Sequence, residues 1–365
     1  MLRIDMLPGG NGDALWIEYG DAQQPRRILI DGGTKGSWDD PEGLRTRIEA
    51  LPAGERHFEL LVVTHIDADH IDGALAMLLD QQLGATYRDV WFNGWRHLPD
   101  TLEPLGPVEG ELLTDAIVAQ GLPWNEAFGG GAVVVPADGP LLTAELADEL
   151  KITVVGPGLE QLVELKPVWR LAVEEAGLDP DKPRPAPEPE PPLPPGLEEL
   201  GTTPNVDALA ASVFKQDTAE ANGSSIALLL EHDGARALLT GDAFPTVVLD
   251  GVNRLLAETG DARLAVDAFK TPHHGSRANV SMPVLAAVDC KQHLFSSNGS
   301  RTRHPHPEAV GRTIAAAGPG STLFFNYSTS FNEPWADDEL EGAHEYEAVY
   351  PELGGSGVSV TLGGD

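Results

Sequence analysis

The sequence predicts an α/β fold in which two β-sheets are flanked by helices. Short apolar runs bounded by glycine or polar residues predict strands at 2–7, 14–19, 27–30 and 60–64, and helical patterns follow at 44–51 and 73–82. A second series of strand-like runs lies at 151–155, 224–231, 237–240, 264–269, 293–296, 322–326 and 358–362. Two groups of strands with helices between them favour two sheets with helices packed on their outer faces.

The middle of the chain gives weaker patterns. Residues 98–150 are expected to be rich in loops, with a helix at 143–150, and 159–175 are expected to be helical with a break or kink at Pro167. Nine prolines at 180–195 predict an extended segment that packs no core. We therefore expect one domain over 1–365 that carries a proline-rich and acidic insertion at about 177–204, either a flexible surface loop or a docking segment for a protein partner.

Composition restricts the class of protein. Against 24 Lys and Arg stand 57 Asp and Glu, a net charge of −33, which opposes delocalised binding to nucleic acid or anionic lipid. The single cysteine, Cys290, excludes internal disulfides and cysteine-rich zinc modules. The N-terminus has no signal-peptide pattern, and no apolar run reaches the ~18 residues of a membrane span. We expect a soluble cytoplasmic protein with no membrane contact.

The segment at 64–73, Thr-His-Ile-Asp-Ala-Asp-His-Ile-Asp-Gly, is the most informative part of the chain. It follows an apolar strand and places His65, Asp67, Asp69 and His70 within six residues. Imidazole and carboxylate at this density suit one or two divalent metal ions. The alternative is a solvated polar loop with two incidental histidines, which the later segments argue against.

Three later segments offer further polar side chains at strand ends. Asp242 follows an apolar strand, the adjacent pair His273 and His274 follows the next, and a loop with Asn298, Arg303 and His304 comes after a third. Six of the eleven histidines lie in these clusters and the first motif. Asp242 alone could be an ordinary turn residue. Asp31, which precedes two glycines, could likewise be a turn residue or could support a metal shell.

Together these segments resemble the metallo-β-lactamase superfamily. That family has a His-x-His-x-Asp-His motif, then a bridging Asp and a final His, and here Asp67 replaces the second His. The pattern is most similar to the metallohydrolase domain of ComEC-type competence proteins, in its His-x-Asp-x-Asp-His, Leu-x-Thr-Gly-Asp and His-His-Gly-Ser segments and its late His-Pro. Gly10-Asn-Gly-Asp-Ala and Ile28-Leu-Ile-Asp-Gly-Gly resemble the first hairpin of that branch. The resemblance covers most of the chain and implies a four-layer αββα sandwich.

The resemblance also implies the division of ligands. His65 and Asp67 would bind one metal ion, Asp69 and His70 the other, and Asp242 would bridge them. One of His273 and His274 would complete the second site, and the sequence does not decide which.

The first site lacks the histidine that the family supplies between the first motif and the bridging Asp. Only His97 and His232 lie in that interval, and neither is well placed. An oxygen ligand such as Asn222, Ser224 or water could take its place. We therefore expect a weaker first site and an oxygen-rich ligand set that favours Mn²⁺, with Zn²⁺ and less strongly Mg²⁺ as alternatives.

The implied activity is that of a binuclear metal-dependent hydrolase. Asp69 and Asp242 would hold a metal-bridging hydroxide, and Asn298, Arg303 and His304 would contact an anionic substrate. The ComEC-like motifs imply a phosphodiesterase or nuclease, and the acidity of the chain favours short or single-stranded nucleic acid. Hydrolysis of an ester, thioester or lactam at the same site is the alternative activity, and a scaffold with a vestigial site is the alternative without catalysis.

Overall fold

Two large mixed sheets organise the protein. The computed structural model describes residues 1–99, 108–176 and 203–363. The proline-rich insertion lies almost wholly outside these residues, so both its structure and the single-domain division stay predictions. The described strands are β1 Leu2–Met6, β2 Leu15–Tyr19, β3 Arg26–Ile30, β4 His57–Phe58, β5 Leu60–Val62, β6 Thr86–Tyr87, β7 Val90–Trp91, β8 Thr143–Glu145, β9 Lys151–Gly156, β10 Ala227–His232, β11 Ala235–Leu239, β12 Leu264–Ala265, β13 Ala268–Lys270, β14 Val288–Asp289, β15 Gln292–Phe295, β16 Ser321–Phe325, β17 Tyr346–Val349 and β18 Val358–Leu362.

Each of the two large sheets has an antiparallel part and a parallel part. The first has the order β18-β1-β2-β3-β5-β7, antiparallel from β18 to β3 and parallel from β3 to β7. The second has the order β17-β16-β15-β13-β11-β10-β9-β8, antiparallel from β8 to β11 and parallel from β11 to β17. Two-stranded pairs, β4-β6 and β12-β14, lie beside them.

Helices cover the outer faces of the sheets. They are α1 Leu44–Glu49, α2 Ala68–Leu79, α3 Val108–Gln120, α4 Leu159–Ala176, α5 Val206–Ala210, α6 Glu220–Gly223, α7 Pro245–Thr259, α8 Met282–Ala287, α9 Pro307–Ala317 and α10 Asp338–His344. None of the described helices is long and apolar enough to cross a membrane.

Successive side chains on the strands of the first sheet pack into two different apolar layers, one on each face. On β5, Leu60 and Val62 pack into the core shared with the second sheet, whereas Leu61 packs with α2 and α3 on the other face. Successive side chains of a strand point to opposite faces, so a continuous apolar run is what a sheet buried on both sides requires. In the second sheet, α7 packs on β9. The predicted α/β class and its helix–sheet–sheet–helix layering are confirmed.

The parallel pairing of β11 and β13 brings the polar segments that follow them to one edge of the second sheet. Strands β11 and β13 run parallel, with Leu239 opposite Lys270, so the segments that follow them leave from the same edge of the second sheet. The first sheet meets this edge, because the Ile226 amide donates to the Thr64 carbonyl at 3.0 Å. The polar segments after β5, β11 and β13 therefore converge between the sheets.

Three local predictions are wrong. Helix α2 begins at Ala68 and not at Gly73, so Asp69 and His70 lie in its first turn. The negative charge of Asp69 there interacts favourably with the positive end of the helix dipole. Residues 143–150 contain β8 and a short 3₁₀ turn, not a helix. Helix α4 continues through Pro167, so the break, which was one of the two outcomes expected there, is wrong.

Helix α3 was missed inside the stretch expected to be rich in loops. The buried residues Leu113, Ala116 and Ile117 follow helical spacing. Gly110 and the polar residues of the helix weaken this apolar pattern in the sequence. Gly110 has a packing reason, since a Cβ there would lie 2.8 Å from the ring of Trp169. Tertiary contact thus overrides the low helix propensity of glycine.

Candidate metal centre

Four histidine rings surround the carboxylate of Asp242, which is 2% exposed. The Nε2 atom of His70 lies 3.3 Å from Asp242 Oδ1. The Nε2 atoms of His274, His273 and His65 lie 3.5, 3.6 and 3.9 Å from Asp242 Oδ2. All four rings present the same nitrogen to one carboxylate, although they come from two separate segments of the chain and Asp242 from a third.

Local backbone geometry turns both adjacent histidines toward Asp242. His273 and His274 have φ angles of 50° and 54°, in the left-handed region that residues with a Cβ rarely adopt. Two consecutive residues with such angles are strained, and strain of this kind persists where the surrounding structure imposes it. Gly275 continues the turn at φ 83°, where a Cβ would lie 2.7 Å from the rings of Phe295 and Pro305.

On the first sheet, the other ring nitrogen of each histidine has a hydrogen-bond acceptor. His70 Nδ1 donates to Asp31 Oδ2 at 2.7 Å. Thr64 Oγ1 donates to the same carboxylate at 2.7 Å, so that hydroxyl accepts from His65 Nδ1 at 3.0 Å. Asp31 therefore supports the site and does not act as a turn residue alone.

The second pair of histidines is held in the same way. His274 Nδ1 donates to Asp13 Oδ1 at 3.1 Å. His273 Nδ1 lies 3.1 Å from Asn279 Oδ1 and 3.3 Å from Asp217 Oδ2. With Nδ1 donating, the neutral form of every ring keeps its lone pair on Nε2, which is the tautomer that a metal ligand requires.

Two further carboxylates lie at opposite ends of the histidine cluster. Asp69 Oδ2 is 3.8 Å from His274 Nε2 and accepts from Asn11 Nδ2 at 2.7 Å. Asp67 Oδ2 is 3.7 Å from His65 Nε2, and its side chain is 41% exposed. Asp67 therefore marks the open side of the site.

The donor set fits divalent metal. Among the described residues, His65 Nε2 and Asp242 Oδ1 are buried polar atoms that have no hydrogen-bond partner. Such atoms are costly in a folded protein unless something satisfies them. Asp13, His70, Asp242 and His274 each offer one ligand atom within 4.8 Å of the others. Imidazole and carboxylate in this arrangement suit a divalent metal ion.

Electrostatics couples the histidines to the carboxylates. Burial lowers the pKa of His274, but the charges of Asp242 and Asp13 outweigh it and raise that pKa to about 9. Burial also opposes ionisation of Asp242, yet the neighbouring histidines hold its pKa well below the usual range. Without metal, protons on the histidines therefore balance the carboxylates, and a metal ion would replace those protons.

Some important residues have no clear signal in the sequence. Lys270 is fully buried, and its Nζ lies 3.0 Å from Asp13 Oδ1. A lysine at a strand end ordinarily predicts exposure. Asp13 occurs in a glycine-rich hairpin that resembled the family, which is the one signal that could have identified it. Asp217 lies in an irregular segment that the sequence pattern does not distinguish.

The late loop is brought only partly to the site. The buried ring of His304 lies 5.0 Å from that of His273. Arg303 is exposed, with φ 58°, and Asn298 Oδ1 accepts from the Ser300 amide within its own loop. Of the three predicted substrate contacts, His304 alone packs against the histidine cluster.

Three solved structures are similar to the chain at low identity. The metallo-β-lactamase fold protein YhfI from Bacillus subtilis is 10% identical, with a TM-score of 0.40 over 99% of this chain and 99% of that one. A protein from Parabacteroides distasonis described as a metal-dependent hydrolase is 12% identical, with a TM-score of 0.37 over 96% and 93%. CmlA, a diiron β-hydroxylase from Streptomyces venezuelae, is 11% identical, with a TM-score of 0.39 over 99% of this chain and 54% of that one. No family model matches the chain, and no curated protein matches it in sequence.

Proposed function

We propose that the protein is a metal-dependent hydrolase whose centre is built around Asp242. The observation that carries this proposal is the convergence of four Nε2 atoms on one buried carboxylate, with Asp67 and Asp69 beside them. Bound divalent metal would supply a nucleophile at neutral pH and would neutralise charge that develops on the substrate.

The protein's own residues have separable roles in this proposal. Asp242 is shared between the two groups of ligands, and Asp31 and Asp13 fix the ring orientation of His70 and His274. The open side at Asp67 admits the substrate. Burial and the neighbouring histidines hold the pKa of His304 well below its ordinary value, so its ring is neutral and can form a hydrogen bond to a substrate oxygen.

We propose a phosphodiester as the substrate, in short or single-stranded nucleic acid or in a small molecule. Carboxylate ligands make the centre rich in oxygen, which suits Mn²⁺. Arg301 and Arg303 are exposed in the loop that contains His304, and the guanidinium group matches phosphate oxygens. The ComEC-like order of the motifs agrees with this class. The charge of −33 predicts weak retention on long duplex DNA.

The test is a substrate panel with the Mn²⁺-loaded protein. Single-stranded DNA, RNA, a cyclic dinucleotide and a nitrophenyl phosphodiester are incubated beside carboxylic ester, thioester and lactam substrates, with Asp242→Asn as the inactive control. We expect turnover of at least one phosphodiester, lost in the control. Turnover confined to the ester, thioester or lactam substrates would reject the phosphodiester proposal, and no turnover of any substrate by metal-loaded protein would favour the scaffold alternative.

A further inference from the structure

We propose that the adjacent histidines divide between the two half-sites, so that His273 supplies the ligand that the first half-site lacks. His65, Asp67 and His273 would then form the first half-site. Asp69, His70 and His274 would form the second, and Asp242 would belong to both. This inference rests on the proposed metal-dependent function and concerns which residues hold each ion.

The histidines that lie between the first motif and Asp242 are both occupied elsewhere. His97 Nδ1 accepts from the Gly94 amide at 3.1 Å, and its ring lies edge-on to Trp124 at 4.7 Å. His232 ends β10 and packs against Tyr19 at 5.6 Å between ring centres. Neither ring is placed to complete the first half-site.

His274 belongs with the second half-site. Its Nε2 lies 3.2 Å from His70 Nε2 and 3.8 Å from Asp69 Oδ2. Two imidazole nitrogens at that distance, with a carboxylate oxygen close by, form the natural set for one ion. With Asp242, the second half-site then has two imidazoles and two carboxylates.

His273 shares Asp242 with His274 but otherwise has different partners. Its Nε2 is 3.6 Å from Asp242 Oδ2, an oxygen that His274 Nε2 and His65 Nε2 also approach, at 3.5 and 3.9 Å. Its Nδ1 is held by Asp217 and Asn279. The two rings differ in their other partners: His274 has Asp13 at Nδ1 and lies beside His70 and Asp69, whereas His273 has Asp217 and Asn279 at Nδ1.

The environment of Asp217 supports a ligand role for His273. Asp217 Oδ2 accepts from Asn222 Nδ2 at 2.6 Å and from Asn279 Nδ2 at 3.1 Å, and its Oδ1 accepts from the Ala219 amide at 2.9 Å. Burial opposes its ionisation, but the hydrogen bonds from His273, the Ala219 amide and Asn222 lower its pKa to about 2. An ionised carboxylate behind an imidazole orients the ring and strengthens its binding to metal. Asp217 is therefore a positioning residue for His273.

This division changes the expected relative affinity of the two half-sites for metal. Each half-site now has two imidazoles, one carboxylate of its own and a share of Asp242. The two ions should bind with similar affinity, whereas a first site without its histidine would be clearly weaker.

The test is metal binding by the full chain, which does not depend on activity. Metal-free protein is dialysed against Co²⁺ at increasing concentration, bound metal is counted by elemental analysis, and the Co²⁺ absorption spectrum is recorded. We expect two ions in the wild type and in His232→Gln, a control that removes a histidine outside the site. We expect one ion in His273→Gln and one in His274→Gln.

Double variants assign each histidine to its half-site. His273→Gln combined with Asp67→Asn should still bind one ion, because both changes affect the same half-site. His273→Gln combined with Asp69→Asn should bind none. The opposite pattern would overturn the division, as would two ions of unchanged affinity in His273→Gln.

Asp217→Asn keeps the test decisive if a histidine variant fails to fold, because it leaves every proposed ligand in place. We expect about 10- to 100-fold weaker binding at one of the two sites, with a changed Co²⁺ spectrum for that ion. Unchanged affinity at both sites would refute the positioning role. If the wild type retains no metal after metal-supplemented purification, the proposed function itself fails, which is distinct from failure of the division between half-sites.

Discussion

Replacing Lys270 with methionine should be among the most destabilising changes in this protein. The ammonium group is fully buried, and it lies 3.0 Å from Asp13 Oδ1 and 3.1 Å from the Thr271 carbonyl oxygen. Asp13 is 1% exposed and also accepts from Ser296 Oγ and His274 Nδ1. Lys270→Met roughly keeps the volume of the side chain but removes the ammonium group, so that protonated His274 is the cationic partner left to buried Asp13.

The expected cost follows from the geometry of this ion pair. At 3.0 Å and an effective dielectric constant of about 20, Coulomb's law gives an attraction of about 5–6 kcal/mol. Removal of one partner from a buried pair costs about 3–5 kcal/mol in other proteins, which is lower because the Coulomb figure omits the desolvation of the two charges. Because total stabilities are about 5–15 kcal/mol, the loss should be readily measured.

The assay is urea unfolding of the metal-free protein at pH 7, followed by circular dichroism. The double variant Lys270→Met/Asp13→Asn removes both charges of this pair and should recover most of the loss, because no carboxylate stays buried without its ammonium partner. Arg45→Met is the exposed control, since that arginine pairs with Asp39 and Glu49 at the surface, and it should stay near wild type. A loss below about 1 kcal/mol in Lys270→Met, or a double variant no more stable than the single one, would refute the reasoning.

Three further predictions concern the same centre. Asp242→Asn should abolish hydrolysis while the protein still folds with wild-type secondary structure by circular dichroism; near-normal turnover would show that Asp242 is not the shared ligand. Gly12→Ala should cost about 1–3 kcal/mol and lower activity, because its Cβ would lie 1.7 Å from the Asp69 carbonyl oxygen, whereas Gly54→Ala meets nothing within 4 Å and serves as the control in the same thermal melts. The metal-free protein should lose stability as pH rises from about 7 through 9, because the pKa of His274 is raised to about 9 and its stabilising charge is present only below that value. Melting curves in chelator that stay flat across this range would contradict that assignment.

Local patterns in the sequence were enough to identify the class of fold and the main components of the centre. Strands β5 and β11 are apolar runs that end in a polar residue or in glycine, and such runs predict a buried strand and the place where it stops. His65, Asp67, Asp69 and His70 are close in sequence, so their proximity in space follows from chain connectivity alone. Helix α3 escaped prediction because its few buried residues gain their stability from contact with Trp169 and α2, which no local window contains.

The sequence by itself determined that histidines and carboxylates follow the ends of neighbouring strands, because ligand type and spacing are properties of short segments. The tertiary structure alone decided that His273 and His274 both face Asp242, since this depends on two left-handed backbone conformations that only the surrounding turn imposes. It alone paired Lys270 with Asp13, from opposite parts of the chain. The physical reason is that burial, partner and ring orientation are set by groups distant in sequence, and a one-dimensional pattern does not contain their distances.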